Sequence, residues 1–382
     1  MWRKGIDMGA LTGLKVLDFS TLLPGPYATL VMADMGAEVI SVAAPGRWDI
    51  LTEWPPVIEG TEGAGIAEST GSSAKPAGGV TAVSAWIGRN KKTIWLDLKT
   101  ELGVEAVKRL VRDEGYDIIL EQFRPGVMAR LGLGYDDLKE LNPRLIYCSL
   151  TGYGQTGPMA MRAGHDINYL SRSGNMNQAG RQETGPVLTN VQIADVAAGS
   201  MNSIISILAA VNYRHETGRG QYIDVAMMDG VVPFNGMDGA AFLGGGEMPG
   251  RDLRLDDPET KKAVRKAFAS RTMKEWCEIF AGLDACVEPV LTLEEAQKDE
   301  QIRQRNMMPQ VSLPADAYGA ALAKGGKSED HVPVSVQQLG CPLKLSECPP
   351  EYRHAGYPTG YHTREILKQL GFNEKEIAEA TE

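Results

Sequence analysis

Gly164-His165-Asp166-Ile167-Asn168-Tyr169 sets one of the five histidines directly between a glycine and an aspartate. Just upstream, Thr151-Gly152-Tyr153-Gly154-Gln155-Thr156-Gly157-Pro158 is too rich in glycine to form a regular element. A loop of this kind, delivering His-Asp to the start of a helix, exposes backbone N–H groups beside an acid/base side chain. That pairing suits chemistry in which a proton moves and a developing negative charge is held. A histidine packed or capping near a turn is the plain alternative. Asp195 follows further along, ahead of a small, apolar, helix-periodic run over 200–213. There it either caps the helix or supplies a second functional carboxylate.

The surrounding elements alternate. Leu14-Lys15-Val16-Leu17-Asp18-Phe19 has the pattern of a buried strand, and Pro24-Gly25-Pro26 turns the chain into a helix ended by Gly36. Glu38-Val39-Ile40-Ser41-Val42 is a second strand. Strand, helix and strand so close together form a βαβ unit, which implies a parallel sheet with right-handed crossovers. No G-x-G-x-x-G lies between strand and helix, so the build is Rossmann-like without a dinucleotide signature. Further strands are predicted over 93–98, 117–121, 145–150 and 222–227, and an amphipathic helix over 101–113. Both His165 and the Arg124 of Phe123-Arg124-Pro125-Gly126 then follow the carboxyl end of a parallel strand, where open α/β sheets bind ligands. Arg124 is there either a phosphate or carboxylate contact or half of a structural salt bridge.

The glycine- and proline-rich stretch 45–88 is either a ligand-covering loop or disordered. Arg89-Asn90-Lys91-Lys92 is either a solvated surface run or a phosphate clamp. Gly244-Gly245-Gly246-Glu247-Met248-Pro249-Gly250 marks a boundary between a large α/β domain, 1–225, and a smaller α+β domain, 226–334. The latter is predicted to hold charged helices within 256–282, a strand over 287–290, a helix over 293–305 and a loop over 314–332. A last helix begins near His362.

Composition narrows the classes. A chain of 382 residues with 43% hydrophobic and 23% charged residues has the balance of a soluble globular protein. A net charge of −10 argues against a nucleic-acid surface, which needs clustered Lys and Arg. The five cysteines form no CxxC pair, so neither a metal site nor a disulfide framework is expected. No run of about 18 uninterrupted apolar residues is present, and the first residues lack a signal-peptide core. The expectation is a cytoplasmic protein with no membrane, metal or nucleic-acid partner.

The motifs, in order, resemble the class III CoA-transferase superfamily (CaiB/BaiF type), and within it the α-methylacyl-CoA racemases. The matching pieces include Pro24-Gly25-Pro26-Tyr27, Asp34-Met35-Gly36-Ala37-Glu38-Val39, Phe123-Arg124-Pro125-Gly126-Val127 and Arg130-Leu131-Gly132-Leu133-Gly134. Ala163-Gly164-His165-Asp166-Ile167-Asn168-Tyr169 and Asp284-Ala285-Cys286-Val287-Glu288-Pro289-Val290 continue the series. The resemblance implies an isomerase of fatty acyl metabolism that epimerises 2-methylacyl-CoA thioesters. It needs no cofactor beyond the CoA of its substrate. His165 and Asp195 would act on opposite faces of the α-carbon, and the backbone N–H of Asp166 would steady the enolate oxygen. CoA contacts are implied for Arg124, Arg130, Gly164 and Tyr169. The resemblance also implies an interlocked homodimer, with residues 335–382 returning to the large domain. Transferases of the superfamily use the aspartate matching Asp195 as a nucleophile and lack the Gly-His-Asp signature.

Two departures bear on activity. Where the family usually carries an arginine soon after the second strand, this chain has Ala43-Ala44-Pro45-Gly46-Arg47, which leaves Arg47 to take over that phosphate contact. After Gly250-Arg251-Asp252-Leu253-Arg254-Leu255 the chain runs straight into Asp256-Asp257-Pro258-Glu259. The family's intervening strands, with a glutamate that partners the histidine, have no counterpart, so the small domain reads as shortened after residue 255. Impaired proton transfer at His165 is the expectation.

Overall fold

The computed structural model describes residues 9–45, 49–58, 61, 79–180, 185–246, 258–283, 285–318 and 335–381. Six strands form one sheet: β1 (Lys15–Asp18), β2 (Glu38–Ala43), β3 (Lys92–Trp95), β4 (Ile118–Glu121), β5 (Ile146–Thr151) and β6 (Tyr222–Ala226). Their order is β3-β2-β1-β4-β5-β6, and every pairing is parallel. This is the doubly wound arrangement expected from the βαβ pattern, with its strand order reversing between β1 and β4.

Alternation along the strands supplies two apolar faces. Val16, Ile118, Leu120, Ile146 and Cys148 face one layer, built on α1 (Pro24–Asp34) and α7 (Met201–Thr217). Leu17, Ile40, Ile94, Ile119 and Tyr147 face the other, covered by α3 (Glu101–Arg112). The C-terminal helices Thr363–Gln369 and Glu374–Thr381 join that second layer through Ile366, Leu367 and Ile377. Just before them, His362 Nδ1 accepts the Thr93 N–H at 3.2 Å and Thr363 Oγ1 accepts the Trp95 N–H at 2.8 Å. These bonds occupy ladder donors along the outer edge of β3, which would otherwise be an open template for pairing.

Several local expectations change. Arg89, Asn90 and Lys91 are buried rather than solvated or free for a phosphate. Arg89 pairs with Asp34 of α1 at 2.6 Å, and Asn90 Nδ2 donates to the same carboxylate at 2.9 Å. Lys91 Nζ donates to the Pro26 carbonyl at 2.7 Å and lies 3.6 Å from Asp18 at the end of β1. Two buried acids require these cations, because an uncompensated buried charge is costly. Burial also pushes the Lys91 ammonium down to about 8, against the pull of Asp18.

Residues 287–290 form no strand; Pro289 lacks a donor, and no neighbouring strand pairs with them. The helix expected over 293–305 is two short ones, Leu293–Lys298 and Glu300–Gln304, because Asp299 turns extended and caps the second. Within 45–88, a helical turn at Ile50–Thr52 and the helix α2 (Ala82–Ile87) are ordered, while 46–48, 59–60 and 62–78 lie outside the described residues. Most of the loop expected over 314–332 lies outside them as well; among the rest, Gln310–Ser312 pairs antiparallel with Ser335–Gln337. Ala194–Thr217 is a continuous helix long and apolar enough to cross a membrane. Asn202, Ser203 and Ser206 interrupt its apolar run. Ile204, Ile207 and Ala210 bury it against the sheet.

Candidate active site

The loop after β5 leads into α6 (Asp166–Arg172), which opens at His165. Tyr169, on the first turn of α6, determines how the loop lies. A Cβ on Gly152 would fall 2.4 Å from its ring and a Cβ on Gly164 would fall 2.7 Å from it. Both glycines are therefore needed for the loop to close over the ring. Tyr153 meets the same ring edge-on at a centroid distance of 5.2 Å. Tyr169 and Gly164, expected at the ligand, thus build the seat of the loop, with Tyr169 only 4% exposed.

His165 sits at the N-cap position of α6 with its imidazole exposed. Asn168 Oδ1 accepts the His165 N–H at 2.9 Å, and the Asn168 N–H bonds the His165 carbonyl. Among the described residues no carboxylate bonds the imidazole. Residues 247–257, next to the expected shortening after residue 255, lie outside the described residues, as do Arg47 and Asp284. Asp166 is the first residue of α6, so its N–H belongs to the turn that has no intrahelical acceptor.

Asp195 does not cap the long helix. It lies inside a π-helical segment, Ala194–Ser200, that runs into α7, and the capping is done by Asp166. The Asp166 carboxylate accepts the Asp195 N–H at 3.0 Å and also receives the Ala194 N–H. The Asp195 carboxyl receives no hydrogen bond from the described residues. Burial, and then the nearby Asp166 carboxylate, push it up to about 7. Burial likewise raises Asp166, while its two backbone donors pull it down. Of the two adjacent acids, Asp166 is occupied by backbone donors, while Asp195 lacks a donor among the described residues and is suited to hold or release a proton near neutral pH. Through Asp166 the histidine's helix and the aspartate's helix are joined directly.

Arg124 lies in the turn after β4, at the carboxyl edge of the sheet, and Arg130 is the last residue of the short helix α4 (Val127–Arg130) that follows. Both are exposed, and among the described residues neither forms an ion pair. Gly126, at φ +79°, makes this turn possible, and a Cβ there would lie 3.4 Å from the Arg130 guanidinium. The salt-bridge alternative for Arg124 is therefore not what the structure contains.

Sequence reasoning did not find the Asp166 carboxylate as a cap or the π-helical winding. The two aspartates stand 29 residues apart, and nothing local in the sequence announces a tertiary bond between them.

Comparison with known proteins places this geometry in a family. The sequence profile of CoA-transferase family III matches residues 11–260 and 251–363, two pieces that overlap at 251–260. Human alpha-methylacyl-CoA racemase is 31% identical over 420 aligned positions, covering 96% of this chain and 95% of that protein. Human succinyl-CoA:glutarate CoA-transferase is 36% identical over 222, covering 58% of this chain and 46% of that one. A crystal structure of a CAIB/BAIF family protein from Brucella suis shares the fold, with a TM-score of 0.74 at 24% identity over 95% of this chain and all of that one. The chain is a member of CoA-transferase family III.

Proposed function

We propose that the protein epimerises 2-methylacyl-CoA thioesters by moving a proton between the two faces of the α-carbon. The observation that carries the reading is Asp195: half-buried, without a hydrogen-bond donor among the described residues, and pushed up to about 7 by burial and by Asp166. An α-proton next to a thioester is only weakly acidic, so its removal calls for a base whose pKa lies near the working pH. Asp195 takes or gives the proton on one face and His165 does so on the other. One proton leaves carbon, one returns, and the thioester is otherwise unchanged. The Asp166 N–H, in the first turn of α6 with no intrahelical acceptor, would meet the enolate oxygen. A racemase and an acyl-CoA transferase both align with nearly the whole chain, over 96% and 98% of it, so the preference for proton transfer rests on the His165-Asp166 signature beside Asp195.

His165 has no carboxylate partner among the described residues, so slow turnover on that face belongs to the reading. Deuterium incorporation at the α-carbon of 2-methylacyl-CoA in heavy water tests the function; its complete absence would refute it.

The second reading, CoA transfer through an acyl anhydride on Asp195, draws on the transferase relatives. It predicts an adduct on Asp195 that hydroxylamine traps.

CoA is read as binding at the carboxyl edge through Arg124 and Arg130. Arg124→Ala and Arg130→Ala are each expected to raise KM for the acyl-CoA about tenfold with kcat unchanged. The KM of each variant should also depend less steeply on salt than that of the wild type. A change confined to kcat would remove these residues from CoA binding.

The active form is read as a homodimer. The helices Gly236–Gly245, Pro258–Phe268 and Met273–Phe280 bury none of their residues, and Met237, Leu243 and Val290 are 89%, 85% and 95% exposed. Apolar surface of this extent calls for a covering partner. Light scattering is expected to give twice the chain mass, and a monomer at micromolar concentration would contradict it.

A further inference from the structure

The seven residues Ala194–Ser200, which carry Asp195, are wound as a π-helix. Such segments are rare, occur mostly as single turns within α-helices, and are frequent at functional sites. What holds this one is visible at Asp195 itself, where side chains reach both backbone polar groups. Asp166 takes its N–H at 3.0 Å. The Ser200 hydroxyl oxygen lies 3.1 Å from its carbonyl oxygen. The same hydroxyl oxygen lies 2.6 Å from the Pro24 carbonyl, in the first turn of α1. A hydroxyl has a single proton, so the two carbonyls share one bifurcated donor, with Pro24 the nearer.

The anchor is firm. In the same turn of α1, the Pro26 carbonyl accepts from the buried Lys91 at 2.7 Å. On the other side, α8 (Met227–Val231) presses directly on the π turn. A Cβ on Gly199 would fall 3.0 Å from the Met227 side chain, and one on Gly230 would fall 2.8 Å from the Ala198 side chain. The turn is therefore fixed by close packing on one side and by the Ser200 hydroxyl on the other. Ser200 is fully buried.

We infer that Ser200 is a positioning residue for the reaction at Asp195: its hydroxyl ties the Asp195 carbonyl to the first turn of α1 and so fixes where the Asp195 carboxyl stands. The inference deepens the function proposed above and rests on it. Without the hydroxyl, the seven-residue stretch is free to rewind toward an ordinary α-helix. That would turn the Asp195 carboxyl away from Asp166 and toward solvent. Ser200 touches no reacting atom; it acts only through Asp195.

The test uses Ser200→Ala and Ser200→Cys in the full chain. Ser200→Ala is expected to lower kcat for α-proton exchange about tenfold or more, with KM for the acyl-CoA unchanged, because a misplaced acid/base group affects the chemical step. Ser200→Cys, with a weak donor of similar size, is expected to fall in between. A readout without turnover runs in parallel. Aspartate carboxyl carbons labelled with 13C are titrated by NMR, and Asp195 is assigned by its loss in Asp195→Asn. The Asp195 midpoint, about 7 in the wild type, is expected to drop by at least about one pH unit in Ser200→Ala as the carboxyl leaves its buried position beside Asp166. A midpoint that stays in place in the folded variant overturns the inference. If Ser200→Ala does not fold, the same titration on Ser200→Cys decides it. Absence of exchange in the wild type would instead remove the proposed function, and the NMR midpoint would still decide the role of Ser200.

Discussion

Asp195→Asn is expected to lower α-proton exchange by about 10²–10⁴-fold and at the same time to make the folded protein more stable at pH 8. The loss follows from removing one of two positioned acid/base groups. The gain follows from linkage. The Asp195 carboxyl is raised to about 7 in the folded chain, by burial first and by Asp166 second. For a group raised on folding, the favourable contribution is complete below the ordinary carboxylate range and is lost as pH rises through about 7. Above pH 7 the wild type must hold an ionised carboxylate that has no donor beside a second acid. Asparagine, neutral throughout, escapes that cost, which is on the order of a few kcal/mol. Urea unfolding at pH 5 and pH 8 should show the variant's advantage clearly larger at the higher pH, because the loss accrues from about pH 4 up to 7; an equal difference at both would contradict the assignment. The same midpoint governs the rates. Exchange of the epimer whose α-proton Asp195 removes should rise through pH 7, and inversion of the other epimer, for which Asp195 must deliver a proton on its own face, should decline over the same interval.

His165→Gln is expected to separate two activities that run together in the wild type. Interconversion of the epimers needs both groups, so it should fall by about 10²–10⁴-fold in both directions. Exchange without inversion should survive for the epimer whose α-proton faces Asp195, because that carboxyl can remove and return a proton on the same face. Chiral analysis of the recovered thioester, alongside its deuterium content, reads the two outcomes separately. Undiminished epimerisation in His165→Gln would show that another group serves the second face. The exposed imidazole, bonded by no carboxylate among the described residues, makes this side of the reaction the slower one. In the wild type, exchange should therefore outrun inversion.

The sheet was legible because the strand pattern is simple. Each of the six strands is a short apolar run bounded by glycine, proline or polar residues, and the first two flank an obvious helix. The histidine and the aspartate were legible as types, and so was the place of His165 beyond the end of a strand. What escaped was tertiary. Arg89 and Lys91 read as surface cations because nothing in their neighbourhood announces Asp34 and Asp18, which come from a distant strand and helix. Asp195 read as either a cap or a second functional carboxylate, because aspartate before a helix is often a cap; the Asp166 carboxylate accepts its N–H instead. The strand expected at 287–290 failed because apolar spacing says nothing of whether a partner strand is present. Tyr169 shows the same limit, since only the close approach of Gly152 and Gly164 reveals it as the seat of the loop.

The most direct test incubates the wild type and Asp195→Asn with one epimer of a 2-methylacyl-CoA in heavy water and follows the α-carbon by NMR and mass spectrometry. Hydroxylamine is added to a parallel sample to trap any acyl adduct. The account predicts deuterium at the α-carbon with the wild type, partial inversion, near-complete loss of both in Asp195→Asn, and no trapped adduct. An α-proton that stays in place while hydroxylamine captures an acyl group on Asp195 would contradict it and identify Asp195 as a nucleophile.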